Sequence, residues 1–207
     1  MVTVREPTSE DAHALGQIHV RAWQHAYRGG LMPDDYLDAL SAEERADMWR
    51  DGLQRPPRPR STRLVAEHDD GTVVGFVLAG PADGDAASDL GEIYALNVDP
   101  NAWGQGAGQA LLDAALTATA QAGFPETILW VHPDNARARR FYERNGWNTD
   151  GERRRQEVLG VDVPEVRYRH PLDGTRSRTV HKEQSGPREV RNEPRLPEQP
   201  SGLGHAS

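Results

Sequence analysis

Apolar and polar positions along residues 1–172 follow two different periods. Apolar residues spaced three and four apart predict amphipathic helices, whereas short runs rich in Val, Ile, Leu and Phe predict strands. The helical pattern covers residues 9–29, 33–53, 108–123 and 135–146, and the strand pattern covers residues 2–6, 62–80, 91–100, 126–133 and 158–172. The order strand, helix, strand, helix in the middle of the chain predicts a mixed α/β sheet with at least one parallel pair of strands.

Local signals predict where these elements begin and turn. Ser9 opens the first helical run and is predicted to be its N-cap. Pro33 starts the second helical run, and a break is expected near Ser41. An Asp-Asp-Gly turn at residues 69–71 divides the run over residues 62–80 into the two strands of a hairpin.

The composition of the chain changes at Asp173. The stretch from there to Ser207 contains no Phe, Trp or Tyr and repeats Pro, Gly, Ser, Arg and Glu. Such a segment buries too little apolar surface to offset an ordering cost of about 1–2 kcal/mol per residue. We therefore predict one folded domain over residues 1–172 and a disordered polar tail over residues 173–207, with a tail that folds on a partner as the alternative.

Composition and charge exclude several classes of protein. The 207 residues include no cysteine, which excludes disulfides, zinc–thiolate sites and a cysteine nucleophile. The formal net charge of -8 argues against non-specific binding of nucleic acid. No run approaches about 18 apolar residues, and the first residues lack the pattern of a signal peptide. We therefore expect no membrane span and a cytoplasmic protein.

The histidines do not have the spacing of metal ligands. Eight are present, and the pair His19 and His25 is six residues apart, which is about 240° around a helix. These two side chains therefore lie on different faces, and we expect no metal.

The stretch VDPNAWGQGAGQALL, residues 98–112, places three glycines directly before a helical run. The first turn of a helix leaves about four N–H groups without partners, and the helix dipole favours an anion there. Glycines allow a phosphate to approach such a backbone closely. The spacing fits neither the Walker A loop nor the dinucleotide fingerprint. A phosphate-binding loop is the favoured interpretation, and a flexible turn without a ligand is the alternative.

Two stretches in this order, LNVDPNAWGQGAGQALLDAAL and LWVHPDNARARRFYERNGW, resemble the GNAT superfamily of acetyl-CoA-dependent N-acetyltransferases. In the first, Gly106 and Gly108 match the family's loop pattern, while Trp103 stands where the family usually has Arg or Gln. The second keeps the family's spacing at Asn135, Ala138, Phe141, Tyr142, Gly146 and Trp147. The resemblance covers residues 1–172 and is strongest between residues 90 and 150.

The resemblance implies a GNAT-like fold, with a central mixed, mostly antiparallel sheet of about six to seven strands flanked by about four helices. It implies an N-acetyltransferase that uses acetyl-CoA as cosubstrate and acts by direct attack in a ternary complex. In the family, the fourth strand separates from the fifth at a bulge, which frees backbone groups for the pantetheine arm and the developing oxyanion. The cofactor-binding residues carried over are Leu96, Asn97, Val98, Trp103, Gly104, Gln105, Gly106, Ala107, Gly108, Gln109, Asn135, Ala138, Arg140 and Tyr142. Arg137 and Arg139 are further candidates for the phosphates, and a solvated basic face is the alternative for all three arginines.

Two residues are predicted by the resemblance to manage protons. Tyr142 is expected to donate to the CoA thiolate as it leaves, because a phenol with a reference pKa of about 10 is protonated at neutral pH. Glu92 stands at the family's frequent general-base position, directly or through water. Alternation puts Glu92, Tyr94 and Leu96 on one face of a strand. The alternatives are a core aromatic for Tyr142 and an ordinary solvated strand residue for Glu92.

The first helical region borders the acceptor groove in this family, so Trp23, His25 and Tyr27 are expected at the substrate, and Tyr94 of the strand over residues 91–100 is a fourth candidate. Packing is their alternative role. The acceptor implied is a primary amine of a small molecule or peptide. A protein N-terminus or lysine is a second hypothesis, and a CoA-binding sensor without turnover is a third. Neither nucleic acid nor a membrane is expected as a partner, and a homodimer is left open.

Overall fold

The computed structural model describes residues 1–82, 88–158 and 161–172, with the side chain at position 158 left aside. The predicted polar tail, residues 173–207, lies outside the described residues, as do positions 159 and 160 of the last predicted strand run. The domain boundary at residue 172 therefore stays a prediction.

Seven strands form one sheet in the described ranges: β1 Val2–Arg5, β2 Thr62–His68, β3 Val73–Pro81, β4 Gly91–Val98, β5 Glu126–Val131, β6 Asn148–Val158 and β7 Val161–Pro171. Their spatial order is β1-β2-β3-β4-β5-β7-β6. β4 and β5 run parallel, and the other neighbouring strands run antiparallel. The predicted mixed, mostly antiparallel sheet is confirmed.

Five α-helices cover this sheet in the same ranges: α1 Ala12–Tyr27, α2 Asp34–Asp38, α3 Ala42–Gln54, α4 Ala107–Gln121 and α5 Ala136–Arg144. Leu15 and Ile18 of α1 pack with Phe76 of the sheet, and α3 joins the same cluster. Leu111 and Leu112 of α4 belong to a second cluster, which also contains residues of α5. Helices on both faces allow the sheet to bury its central strands, as the mixed α/β pattern predicted.

The predicted helix boundaries are partly correct. The break at Ser41 is confirmed, because its hydroxyl accepts the N–H of Glu44 (3.2 Å) at the start of α3. Ser9 was expected to cap the first helix, but it lies inside a short 3-10 turn that precedes α1. The capping contact belongs to Thr8, whose N–H donates to Asp11 Oδ2 (2.7 Å). A carboxylate replaces the expected serine hydroxyl at this helix start.

β4 changes the face that it presents along its length. Its register with β3 shifts by one residue at Tyr94. Ile93 therefore packs in the α4 cluster and Ala95 in the α1–α3 cluster, although strict alternation would put both on one face. Leu96 packs on the same side as Ile93 and thus opposite Glu92. The prediction that Glu92, Tyr94 and Leu96 share a face is wrong for Leu96, because the bulge breaks the alternation.

β4 and β5 separate soon after they meet. Their parallel pairing joins residues 91–93 to residues 127–129. From the bulge onward, β4 remains paired with β3 along one edge, while its other edge has left the ladder with β5. The expected separation of the fourth and fifth strands is present, and it opens the sheet beside residues 96–98.

β6 is an edge strand that the hydrophobic pattern did not predict before residue 158. Most of its side chains are charged or polar, and its partner is β7. Ion pairs link the two strands, with Arg154 Nε 2.7 Å from Glu165 Oε2 and Arg155 Nε 2.6 Å from Asp162 Oδ2. Cross-strand ion pairs thus stabilise β6, which lacks the alternating apolar residues by which strands were predicted from the sequence.

Candidate active site

A cavity of about 1090 Å³ lies beside the opening between β4 and β5. Its walls come from α1, α3, the strands β2 to β7, the loop before α4 with the first turn of that helix, and α5. This volume is at the upper end of the range for small-molecule and cofactor sites. The sequence-predicted residues that line it are Trp23, Tyr27, Glu92, Tyr94, Leu96, Asn97, Val98, Trp103, Gly104, Gly106, Gly108, Gln109, Asn135, Ala138, Arg140 and Tyr142.

Three residues of the predicted cofactor and acceptor sets do not contribute side chains to the cavity wall, and neither does the further candidate Arg139, which donates to the Tyr168 hydroxyl (2.9 Å) and to Pro133 O (2.8 Å). Gln105 turns back on its own loop, with Nε2 donating to Asn101 O (3.0 Å) and its backbone N–H to Ala102 O (3.4 Å). Ala107 is 1% exposed in the core. His25 is exposed and packs edge-on against the ring of Trp103, but His25 itself does not line the cavity. Of these three, Ala107 still offers its backbone N–H at the start of α4.

The loop before α4 presents several N–H groups at one end of the cavity. Gly104 and Gly106 have φ values of 78° and 93°, a left-handed conformation that favours glycine. Ala110 N donates the first bond of the helix, to Gly106 O (3.0 Å), so the N–H groups of residues 107–109 precede any intrahelical acceptor. The N-cap Gly106 has no side chain to accept them. A Cβ at either left-handed glycine would meet nothing within 4 Å, so no packed atom crowds the backbone at these two positions.

Trp103 links this loop to β4 and α5. Its indole Nε1 donates to Val98 O (2.9 Å). The Arg137 guanidinium lies 3.5 Å from the centre of the indole ring, and the His25 ring packs edge-on at 4.7 Å. The positive charge beside the loop therefore comes from α5 and not from position 103, where the family usually has Arg or Gln.

The cavity side of α5 is basic. Arg137, Arg140 and Arg144 follow one another at helical spacing and all line the cavity. Partial burial and repulsion from the other two arginines lower the pKa of Arg137. Three like charges on one face favour the binding of a polyanion at this end of the cavity.

α5 also brings Tyr142 to the cavity. Asn135 caps the helix, because its Oδ1 accepts the N–H of Ala138 (3.1 Å). Tyr142 is 8% exposed, and burial together with the nearby Tyr27 raises its pKa. Burial, assisted by Glu165, raises the pKa of Tyr27 to about 12. Both phenols therefore hold their protons at neutral pH.

Glu92 is a buried carboxylate on the cavity wall, with 5% of its surface exposed. Arg154 extends from β6 toward it, with a guanidinium nitrogen 4.0 Å from Glu92 Oε1, and also pairs with Glu165 (2.7 Å). The same guanidinium lies 4.1 Å from the centre of the Trp130 ring. The alternative of an ordinary solvated strand residue is wrong for Glu92, because the edge strand β6 covers it.

Three of the four residues predicted at the acceptor reach the cavity, namely Trp23, Tyr27 and Tyr94. The Tyr94 ring forms part of the wall, and its hydroxyl donates to the carbonyl of Pro81. The pattern did not predict several further lining residues, namely His19, Arg45, Met48, Trp130, Arg154, Gln156 and Glu165. No local motif marks these positions, because tertiary packing brings them to the cavity.

In residues 1–82, 88–158 and 161–172, no group of three or more His, Asp or Glu side chains is arranged to hold a metal ion. The helices of the same three ranges are all too short or too polar to cross a membrane.

Residues 17–147 match the model of the acetyltransferase (GNAT) family. The chain therefore belongs to this family and is an acyltransferase. YuaI of Bacillus subtilis (strain 168), an uncharacterized N-acetyltransferase, is 34% identical over 135 residues, which are 65% of this chain and 74% of that protein. The mycothiol acetyltransferase of Kocuria rhizophila is 35% identical over 147 residues, which are 68% of this chain and 44% of that protein. The chain thus spans less than half the length of this mycothiol acetyltransferase.

Solved structures share the fold. The paia N-acetyltransferase from Thermoplasma acidophilum, crystallised in complex with coenzyme A, has a TM-score of 0.61 at 20% identity and covers 83% of this chain and 99% of its own. The structure of yncA from Salmonella typhimurium with its cofactor acetyl-CoA has a TM-score of 0.61 at 19% identity and covers 85% of this chain and 96% of its own. At these identities the likeness establishes the fold and no further property.

Proposed function

We propose that the protein is an N-acetyltransferase that moves the acetyl group of acetyl-CoA to a primary amine of a small molecule or peptide by direct attack in a ternary complex. The observation that carries the proposal is the opening between β4 and β5. One cavity joins this opening to the N–H groups before α4, to Tyr142 and to Glu92. Membership of the family, and the two neighbours crystallised with CoA or acetyl-CoA, support acetyl-CoA as cosubstrate.

The residues present suit a polyanionic cosubstrate with a long amide-bearing arm. The N–H groups of residues 107–109 bind the diphosphate, with Gly104 and Gly106 keeping the approach clear. Arg137 and Arg140 add positive charge from α5. The edge of β4 that has left β5 offers backbone groups of residues 96–98 to the arm, except Val98 O, which already accepts the Trp103 indole N–H, and one N–H there stabilises the developing oxyanion. When bound, acetyl-CoA supplies the activated thioester.

Two side chains hold and move the protons of the transfer. An alkylammonium has a reference pKa of about 10.4, so the acceptor must lose a proton before its nitrogen attacks at neutral pH. Glu92 accepts that proton, directly or through water, from its position on the cavity wall. Tyr142 keeps its proton because burial raises its pKa, and its hydroxyl donates to the sulfur as the C–S bond breaks.

Replacement Tyr142→Phe tests this function. We expect acetyl transfer, measured as CoA release over a panel of primary amines, to fall by about 10²-fold or more, which is the scale of general acid–base assistance. Calorimetry should show acetyl-CoA binding nearly unchanged, because the ring and its packing remain. Tyr36→Phe is the matched control, since the Tyr36 hydroxyl is buried, has no hydrogen-bond partner among the residues that the structure describes, and lies outside the cavity wall.

Two outcomes would contradict the proposal in different ways. A wild-type rate in the Tyr142→Phe variant would remove that phenol from the mechanism. Tight acetyl-CoA binding by the wild-type protein, without CoA release for any amine, would favour the non-catalytic sensor.

A further inference from the structure

Arg45 is the one arginine that is buried in the part of the chain that the structure describes, with 8% of its surface exposed. It lies in the first turns of α3 and lines the cavity. Its guanidinium makes one polar contact there, from Nη1 to Met48 Sδ (3.3 Å). A thioether is a weak acceptor, so most of the five N–H donors of Arg45 lack a strong partner among the described residues.

Each buried carboxylate of the described residues, unlike Arg45, has a partner of opposite charge. Asp11 lies 2.8 Å from Arg5, Asp99 lies 2.6 Å from Arg21, and Glu92 lies 4.0 Å from an arginine of β6. No comparable ion pair includes Arg45 among residues 1–82, 88–158 and 161–172. The fold therefore pairs its buried negative charges and leaves this buried positive charge facing the cavity.

A second arginine on the same wall, Arg63, has a structural role. Arg63 donates from Nη1 to Gly52 O (2.5 Å) and from Nη2 to Arg55 O (3.0 Å), which satisfies the carbonyls at the end of α3. Arg45 has no such carbonyl partner in the described ranges, and it sits near the positive end of the helix dipole, where a cation is disfavoured. An unpaired buried charge is costly to folding, so a partner outside the protein is the physical reason to keep it.

The surroundings of Arg45 indicate the charge of that partner. His19 lines the cavity close enough for the two groups to interact electrostatically, and burial together with the charge of Arg45 lowers the pKa of His19 to about 3. Its ring is therefore neutral, and its buried Nε2 has no hydrogen-bond partner within the described residues. Because Arg63 on the same wall is committed to two carbonyls, Arg45 offers one uncommitted positive charge beside a neutral ring, which matches a singly charged oxyanion better than a phosphate dianion.

We propose that Arg45 binds a carboxylate of the acceptor, so that the substrate class is amines that also carry a carboxylate, such as amino acids or short peptides with a free C-terminus. This inference rests on the proposed acetyl transfer. Arg45 and Glu92 line the same cavity and carry opposite charges, as the two ends of such a zwitterionic acceptor require. The planar guanidinium can hold a carboxylate with two parallel hydrogen bonds.

Paired acceptors test the proposal. CoA release is measured with α-amino acids and with their α-carboxamides, and with β-alanine beside 2-aminoethylphosphonate. For the wild-type protein we expect the KM of the carboxylate to be about 10-fold or more below that of its carboxamide or phosphonate partner, the scale of a charge-assisted hydrogen bond. Arg45→Gln should raise the KM of the carboxylates with little change in kcat, and Arg45→Lys should recover part of the difference. Arg50→Gln is the matched control, because Arg50 is on the same helix but exposed and outside the cavity wall.

A second measurement separates this proposal from the acetyl transfer itself. The CoA-saturated protein is melted with and without N-acetyl amino acids and their carboxamides. Stabilisation by the carboxylates alone, lost in Arg45→Gln, supports the carboxylate site even if no amine is turned over. CoA release at equal KM for acids and amides, or equal shifts in melting temperature for both, overturns it and leaves the acetyl transfer standing. Arg45→Met should raise the melting temperature of the ligand-free protein by about 2–4 °C, because it removes an unpaired buried charge, and a fall would mean that Arg45 is structural.

Discussion

The contact between α1 and α3 depends on the missing side chain of Gly16. A Cβ built at this position would lie 2.4 Å from Ala42 O and 2.6 Å from Ala46 N, and both are backbone atoms that cannot rotate away. Carbon atoms pack at about 3.5–4.0 Å, so Gly16→Ala forces the helices apart by about 1 Å. That shift loosens the apolar contacts of the α1–α3 cluster, which contains Leu15 and Ile18.

The expected cost of Gly16→Ala exceeds its benefit. Alanine gains about 1 kcal/mol over glycine inside a helix. Overpacking of a well-packed core costs about 1–3 kcal/mol, and a clash with rigid backbone falls at or beyond the upper end. The net loss of about 2 kcal/mol in the free energy of unfolding corresponds to a fall of about 4–8 °C in melting temperature for a chain of this size.

Calorimetric melting of Gly16→Ala beside Gly52→Ala checks this reasoning. Gly52 lies in α3, and a Cβ there would meet nothing within 4 Å. The control therefore receives the same gain in helix propensity without the clash and should melt slightly above the wild type. If both variants melted at or above the wild-type temperature, the close packing of α1 on α3 would be refuted.

Two further predictions concern the phosphate loop and the first helix. Gly106→Ala and Gly29→Ala place a Cβ at φ values of 93° and 87° in open space, so each should lose about 1–2 kcal/mol of stability; the first alone should raise the KM for acetyl-CoA, by about tenfold, and equal effects of both on KM would remove the loop from cofactor binding. The ion pair with Arg5 and the N–H of Thr8 lower the pKa of Asp11 below its ordinary 3.8. The ionised carboxylate therefore stabilises the fold above about pH 4, and this contribution is lost as the pH falls through its lowered pKa. In urea titrations, the free energy of unfolding of the wild type should exceed that of Asp11→Asn by a constant margin from pH 8 to pH 5 and by a shrinking margin below pH 4. A margin that is unchanged at pH 3 would contradict a stabilising role for the ionised Asp11 carboxylate.

The sequence predicts the parts of the site whose geometry depends on residues close together along the chain. Glycines before a helix act over three or four positions, so their spacing predicts the left-handed turn and the unpaired N–H groups that the structure has there. The alternation of β4 was predicted by the same local logic. It was wrong beyond Tyr94, because the bulge depends on pairing with another strand.

The remainder of the site depends on contacts between distant segments. Arg45 follows two glutamates in a polar stretch and has the sequence context of an exposed helical residue, yet it is buried in the folded protein. Arg154 stands in a charged run that lacks the alternating apolar pattern of a strand, and its cross-strand partner Glu165 lies on β7. Neither position carries a signal within its own window of sequence, so neither could be assigned before the fold was known.

Because Arg137 stacks on Trp103, a substitution at either position changes the surroundings of the other. A designer who placed at position 103 an arginine, one of the two residues usual there in the family, would remove the ring that the Arg137 guanidinium contacts and bring a second cation close to it. The change that looks like a reversion to the common pattern would therefore create repulsion at the mouth of the cavity. Whether a substitution is tolerated at this loop therefore depends on the pair of residues at positions 103 and 137 and not on either position alone.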